Sequence, residues 1–562
     1  MIRSSKSELC ARAFVACLTL GLFPSGARAS IPCVELKRLS LPATSIGLLA
    51  RGASIRSAES VTAAPAATMP DGRYVNEVRN YCKVIGTIAP LDSSAPLITF
   101  EVNLPAAWNG KAVQYGGGGY NGTLVSGLAR FWEMPRGTLT PLAQGYATYG
   151  TDAGHQVDSL HEIQAFALND EALVNFAYAS YKKVHDVAAT LITIFYGRAP
   201  TRTYFDGGSE GGREGLMMAQ RFPADYDGVI SRVPVISWVG LGHAQSRNGP
   251  SQVDGGWLDS IHVALLDRGI IAACDSLDGL RDGIVSNYQA CNSVFRPVSL
   301  QCAANATRSD DCLTKRQVAA VETLHSPYMY PVPLANGATA YPPFGYGGEG
   351  QPGGYDQWIT AGEAPTFPVP PNARQGVAWR FGGGMLRYFI MRDSTGNPMT
   401  YAPSAFAERL RALSELMDAT NPDLSTFAAR GGKLIMKEHM ADYAQSPYAG
   451  IAYFESVVKR MGKASVDRFA RLYVTPGVTH GGTGVSSTTG QPIPSNVDLL
   501  TALDDWVTAG RPPAKTLVQT TVSSAPPYAV IASRPMCSYP QYARYRGSGD
   551  PALAASFECV NP

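Results

Sequence analysis

The sequence predicts an α/β fold, a mostly parallel sheet covered by helices and interrupted by one large insertion. Two observations carry this. Short apolar runs alternate with helical patterns in the first and last parts of the chain, and between them, from about 240 to 425, regularity dissolves into Gly, Pro and Tyr. At 562 residues, 45% hydrophobic and 16% charged, the chain is long enough for a large core and a second domain or insertion.

The elements follow in order. Residues 1–29 have a cationic start, an apolar run from Ala13 to Phe23, then Pro24 and the small-residue site Ala27-Arg28-Ala29. This pattern predicts a signal peptide cut before Ser30 and a secreted or periplasmic protein. A lipid anchor at Cys17 would leave only about five apolar residues before it, short of the usual run of roughly 7–15. The net charge of +2 falls to near −1 once this segment is set aside. No basic face is left for nucleic acid or an anionic membrane, and no other run is long enough to span a bilayer. Eight cysteines remain: Cys33, Cys82, Cys274, Cys291, Cys302, Cys312, Cys537 and Cys559. An even number after export reads as disulfides, with local pairs in chain order the simplest of about 105 arrangements.

After a Ser/Ala-rich segment to about residue 70 come three strand-like runs: "KAVQY" (111–115), "YATYGTD" (146–152) and "RTYFDGGS" (202–209). Between the last two, residues 170–197 start acidic, repeat apolar residues three and four apart and close on glycine, which predicts a long helix. The stretch 328–358, "YMYPVPLANGATAYPPFGYGGEGQPGGYDQW", is too long for a loop in a compact domain and reads as part of a lid stapled by two disulfides. Regularity returns with "GGKLIM" (431–436), a helix over 447–462, the strand "RLYVT" (471–475) and a helix over 496–510. The expected organisation is a signal peptide (1–29), a core (30–239), a lid domain (240–425) and the rest of the core (426–562).

Gly207-Gly208-Ser209-Glu210-Gly211 matches G-x-S-x-G. With 57 glycines in the chain the match alone leaves a flexible loop open as a reading, but it follows a strand and precedes the helix-like "REGLMMAQRF". That is the context of a nucleophile elbow, which projects a serine from the top of the sheet in α/β-hydrolases. Serine needs a base and an orienting acid, and in that fold they follow in the order acid, then histidine. His480, after "RLYVT" and near the C-terminus, is the candidate base, with a surface-loop histidine as the plain alternative. Asp442, past the end of "GGKLIM", is preferred as acid over Glu438, although a helix cap would also explain it. His439 is a rival base that precedes the acid. Oxyanion donors are expected from the N–H of Glu210 and from the glycine-rich "QYGGGGYNG" (114–122). No Lys-Ser/Thr follows those glycines, which argues against a phosphate loop. Separately, Asp275, Asp278 and Asp282 in "CDSLDGLRDGIVSNYQAC" bring three carboxylates together, a donor set for a hard cation, Ca²⁺ before Mg²⁺, or simply an acidic turn.

Blocks such as "LPAAWNGKAVQYGGGGYNG", "SEGGREGLMMAQRFPADYDGV", "FARLYVTPGVTHGG" and "SRPMCSYPQYARYRGSGD" occur in one order along nearly all of the mature chain. They resemble the tannase/feruloyl esterase family. The resemblance implies an α/β-hydrolase core with a large inserted lid and a triad of Ser209, Asp442 and His480, with an oxyanion hole from the backbone of Gly119 and Glu210. It also implies a structural Ca²⁺ in the lid, held by the side chains of Asp275, Asp278 and Asp282 and the carbonyls of Leu280 and Ile284. It pairs Cys33–Cys82, Cys274–Cys291, Cys302–Cys312 and Cys537–Cys559. Three departures accompany it. Gly208 and Gly481 stand where the family usually places a bridged cysteine pair across the triad. Glu438-His439 replaces His-Gly before the acid. A lid arginine that grips a free carboxylate in one member is matched by Val377, with Arg374 and Arg380 nearby. The expected activity is carboxylic ester hydrolysis on a small aromatic ester through an acyl-enzyme, without an organic cofactor. Trp358, Trp379 and Phe381 are candidates for an aromatic wall over the acyl group, or for lid core. An acyltransferase with the same triad and a Ca²⁺-stabilised binding protein are the rival readings.

Overall fold

The computed structural model describes residues 31–69, 74–303, 310–369 and 373–562. The signal peptide expected over 1–29 lies outside them. Ten strands form the main sheet: β1 (Ser40–Leu41), β2 (Ala53–Val61), β3 (Tyr81–Ile88), β4 (Ile98–Pro105), β5 (Lys111–Tyr115), β6 (Ala147–Thr151), β7 (Arg202–Gly208), β8 (Gly228–Arg232), β9 (Lys433–His439) and β10 (Ala470–Thr475). Their order is β1-β2-β3-β4-β6-β5-β7-β8-β9-β10. The pairings from β6 to β10 are parallel, and those from β1 to the β4–β6 pair are antiparallel.

The main helices are α1 (Ser180–Tyr196), α2 (Glu210–Arg221), α3 (Trp238–Asn248), α4 (Val377–Met385), α5 (Pro447–Met461) and α6 (Leu499–Ala509). Alternation along the parallel strands buries both faces. Val113, Tyr204, Ile230, Ile435 and Tyr473 pack with Leu499, Leu503 and Trp506 of α6. Phe205, Val229, Leu434 and Leu472 turn the other way, into the cluster formed with α2, α5 and the lid. Strands covered on both sides read as apolar runs, which is why these were legible. The helix expected over 170–197 begins with Asn169 accepting the Ala172 N–H, passes through a π turn at Asn175–Ala179 and ends on Gly197 at φ 72°.

The structure adds two features. β1 to β4 were not expected; β2 alternates small and polar residues, ASIRSAESV, whereas β3 (YCKVIGTI) and β4 (ITFEVNLP) carry the β-branched and aromatic residues of ordinary strands. Among the described residues, the segment 233–432 contributes no strand to the main sheet, yet it is more regular than its composition suggested: helices at Ser260–Cys274 and Lys315–Leu324 share a core of their own with Ala378 of α4, while α3 and a helix at Ala407–Met417 pack into the cluster shared with the sheet. The disulfides are Cys33–Cys82, Cys274–Cys291, Cys302–Cys312 and Cys537–Cys559. Among the described residues no helix is long and apolar enough to cross a membrane.

Candidate active site

β7 ends in Gly207-Gly208, and α2 begins at Glu210, so Ser209 must reverse the chain alone. It does so at φ 60°, ψ −123°, a conformation costing of order 1–3 kcal/mol that persists only where the surroundings impose it. Here they do: the Ser209 N–H donates to the Arg232 carbonyl (2.9 Å), and the Ser209 carbonyl accepts from Val235 N–H (3.2 Å). The flanking glycines are sterically required. A Cβ on Gly207 would lie 2.3 Å from the Gly211 carbonyl oxygen, and one on Gly211 would lie 2.7 Å from that of Gly117.

Three loops at the ends of β7, β9 and β10 meet here. His480 Nε2 is 2.9 Å from Ser209 Oγ, and His480 Nδ1 is 2.7 Å from Asp442 Oδ2. All three residues are buried. Asp442 as acceptor holds the imidazole proton on Nδ1, leaving the Nε2 lone pair toward the serine hydroxyl. Its other oxygen accepts the N–H groups of Ala444 (2.8 Å) and Gln445 (3.2 Å). Asp442 therefore also organises the turn before α5, while the cap of α5 itself is Ser446. The other acid and base lie apart. Glu438 sits within β9 and accepts from Gln445 Nε2 (3.1 Å). Burial and the neighbouring Asp442 raise its carboxyl well above the usual range. His439 Nδ1 is 2.9 Å from the Thr479 carbonyl and has no bond to the serine.

The glycine loop after β5 packs against the elbow. Gly116 N–H donates to Asp206 O (3.0 Å), Gly117 N–H to Glu214 Oε2 (2.9 Å) and Gly118 N–H to Asn121 Oδ1 (2.6 Å). Among the described residues, Gly119 N–H and the first-turn N–H of Glu210 have no protein acceptor. Two free donors beside a serine can receive a developing oxyanion. Glu214 is a residue the sequence reasoning missed. Its carboxylate also accepts from Asn121 Nδ2 (2.6 Å) and from the Tyr181 hydroxyl, clamping the glycine loop to α2. The signal available was its place one turn after Glu210. The Glu210 side chain is fully buried and paired with Arg213, and burial pushes its carboxyl up to about 7 against that partner's pull.

Ser209 and His480 open onto a cavity of about 280 Å³. Trp238, Leu241, Gly242 and Gln245 line it from one face of α3, and Ala378, Phe381, Gly382 and Met385 from one face of α4. Trp132 and Trp358 flank the imidazole edge-on at 6.1 and 5.2 Å. Trp358 and Phe381 thus border the cavity, whereas Trp379, 2% exposed, points to the opposite side of α4, lies against Gly249 and donates Nε1 to Thr366 O (3.1 Å). Val377, Arg374 and Arg380 do not line the cavity, and among the described residues no lysine or arginine does. Gln245 was also missed: its carboxamide is buried at the cavity wall, and Nε2 has no partner among the described residues.

In the aspartate loop, Asp275 Oδ1 accepts the N–H groups of Asp282 (3.2 Å), Gly283 (2.9 Å) and Ile284 (3.2 Å). Asp278 Oδ1 accepts from Leu280 N–H (3.0 Å), and its Oδ2 is buried near the Ser286 hydroxyl without a well-formed hydrogen bond. Burial first, then the Asp282 charge, raises the Asp278 carboxyl to about 6. Asp282 Oδ2 is bonded to Arg534 (2.7 Å). Elsewhere, His185, Asp186 and Asp225 bring three ligand atoms within 4.8 Å of one another. Lys182 Nζ, 2.8 Å from each aspartate, already fills that site.

The sheet with its elbow, the Ser-Asp-His loops and the inserted lid are those of an α/β-hydrolase. A profile described as "Tannase and feruloyl esterase" matches residues 82–560, and the chain belongs to this family of carboxylic ester hydrolases. Among relatives, it is 38% identical to an uncharacterised esterase of Agrobacterium fabrum across 94% of this chain and 93% of that one. It is 32% identical to mono(2-hydroxyethyl) terephthalate hydrolase of Piscinibacter sakaiensis across 86% and 85%. The crystal structure of feruloyl esterase B from Aspergillus oryzae matches with a TM-score of 0.75 at 24% identity, covering 94% of this chain and 99% of that one.

Proposed function

We propose that the protein is an exported serine esterase for uncharged aromatic acyl esters. The observation that carries this is the Ser209–His480–Asp442 hydrogen-bond chain opening onto an apolar, aromatic-walled cavity. Ser209 Oγ attacks the ester carbonyl while His480 Nε2 takes its proton, and Asp442 stabilises the imidazolium without accepting that proton. The N–H groups of Gly119 and Glu210 receive the oxyanion. As the tetrahedral intermediate collapses, the carbon–oxygen bond to the alcohol breaks and His480 returns the proton to the leaving alkoxide. Water, deprotonated by His480, then attacks the acyl-enzyme and regenerates Ser209.

The acyl class follows from the cavity wall. A carboxylate on the ring would enter an apolar site with no cation among its described lining residues, at a cost of several kcal/mol. One relative is named as a hydrolase of a terephthalate monoester and one structural neighbour as a feruloyl esterase, which supports an aromatic substrate here. The four disulfides support an oxidising compartment. We further propose a structural Ca²⁺ in the lid. The orphaned Asp278 oxygen and the all-oxygen donor set fit it, with Asp275, Asp278 and Asp282 and the carbonyls of Leu280 and Ile284 as its holders. Its contribution would be to neutralise mutually repelling carboxylates.

A fluorophosphonate probe tests the core reading. Ser209 is expected to be labelled in the folded protein, and Ser209→Ala to abolish hydrolysis of p-nitrophenyl and feruloyl esters. An unlabelled Ser209 together with unchanged hydrolysis by the variant refutes it.

A further inference from the structure

Beneath the triad lies a buried cluster of charge that the chemistry does not use. Glu133 follows Trp132, adopts φ 63° and has a side chain 1% exposed. One carboxylate oxygen accepts from Lys437 Nζ and lies 2.8 Å from His439 Nε2, and the other is 3.7 Å from Arg232 Nε; the His439 and Arg232 contacts are electrostatic, without hydrogen-bond geometry. Burial alone would raise this carboxyl, but Lys437, His439 and Arg232 together hold it down at about 2. It is a buried acid held beside the Lys437, His439 and Arg232 side chains.

Each partner leads to a triad member. His439 Nδ1 meets the carbonyl of Thr479, the residue before His480, at 2.9 Å. The Arg232 carbonyl accepts the Ser209 N–H at 2.9 Å, and its guanidinium pairs with Asp206, three residues upstream of the serine. Lys437 and His439 belong to β9, whose end carries Asp442. The Glu133 carbonyl accepts from Val497 N–H (2.8 Å). Next to it, the Trp132 ring fills the space beside the elbow: a Cβ on Gly208 would lie 2.9 Å from Trp132 Cε3.

From this convergence we infer that Glu133 is a positioning residue whose buried carboxylate, shared by Lys437, His439 and Arg232, holds the backbones carrying Ser209, Asp442 and His480 in register. The inference rests on the triad reading. Its physical basis is that a buried ion cluster is stiff, since moving any member leaves an uncompensated charge in a low-dielectric interior. Gly208 and Gly481 have no side chains with which to bridge the elbow and the histidine loop, so the alignment has to come from below. Alignment matters because a 1 Å misplacement can cost about a hundredfold in rate.

The test is Glu133→Gln in the full chain, with kcat expressed per serine titrated by the fluorophosphonate. We expect kcat per titrated serine to fall tenfold or more while KM stays within a factor of two, since Glu133 does not border the cavity. Glu133→Asp, which keeps the charge, should recover part of the loss. A purely structural role would lower Tm and the number of titratable sites but leave kcat per site unchanged. His439→Leu, which cuts the link to Thr479 while preserving the Glu133–Lys437 pair, decides the matter alone if Glu133→Gln does not fold. A loss of threefold or more per titrated serine supports the inference. A smaller loss, or a change confined to KM, overturns it. Absence of serine labelling in the unmodified protein would instead overturn the esterase reading.

Discussion

The elbow offers the sharpest quantitative test, through Gly207→Ala. The added Cβ would lie 2.3 Å from the carbonyl oxygen and 2.4 Å from the carbonyl carbon of Gly211, where ordinary van der Waals contact begins at 3.4 Å. Both opposing atoms are backbone, in the first turn of α2, so relief demands a displacement of about 1 Å shared between the end of β7 and the start of α2. That displacement moves either Ser209 or the Glu210 N–H, both of which need their present positions. The expected loss is about a hundredfold in kcat, with a stability cost of about 1–3 kcal/mol for overpacking. The control is Gly481→Ala, where an added Cβ meets nothing within 4 Å although the residue adjoins His480. It should keep kcat within twofold. The assay is p-nitrophenyl ester hydrolysis normalised to titrated serine, with Tm measured in parallel. A Gly207→Ala protein with unchanged kcat, or a Gly481→Ala protein equally impaired, would refute the steric reasoning.

Asp442→Asn should reduce kcat/KM by on the order of 10⁴-fold by favouring the wrong imidazole tautomer. It should leave Tm nearly unchanged, because an asparagine oxygen can still accept the Ala444 and Gln445 N–H groups. In the lid, burial and Asp267 raise the Glu349 carboxyl from 4.5 to about 8. Because the folded value is the higher one, the stability linked to it is fully present below about pH 4.5 and is lost as pH rises through about 8. Glu349→Gln should therefore flatten the fall in Tm between pH 5 and roughly 8.5, and parallel curves for the two proteins would sink the assignment. Added Ca²⁺ should raise Tm and a chelator lower it, with the response lost in Asp278→Asn. A chelator without effect removes the calcium proposal.

Much of this was legible because it is local. An elbow is a strand, a tight glycine turn and a helix in direct succession, so its outline is written in consecutive residues. Asp442 and His480 were chosen because each lies just past an apolar run in the required order, and the structure brings them within hydrogen-bond reach of each other and of Ser209. The aromatic wall shows where such reasoning stops. Trp379 and Phe381 are two residues apart, which on a helix turns them to nearly opposite faces, so only one of them can line a given cavity. Pattern alone could not tell which. Glu133 was invisible for a different reason: its partners, Lys437 and His439, lie some 300 residues along the chain.

By itself the sequence determined what short-range chemistry can encode: an α/β chain with a large insertion, a serine on a turn that only glycines permit, and an acid and a base in order behind it. Tertiary structure decided what depends on register between distant strands. It closed the lid helices α3 and α4 over the serine to leave an apolar cavity with no cation among its described lining residues, and it gathered Glu133, Lys437, His439 and Arg232 under the triad. The physical reason is that burial belongs to the packed whole. A carboxylate beside three bases is unremarkable along a chain in water, and becomes a rigid anchor only when folding excludes the solvent that would otherwise screen them.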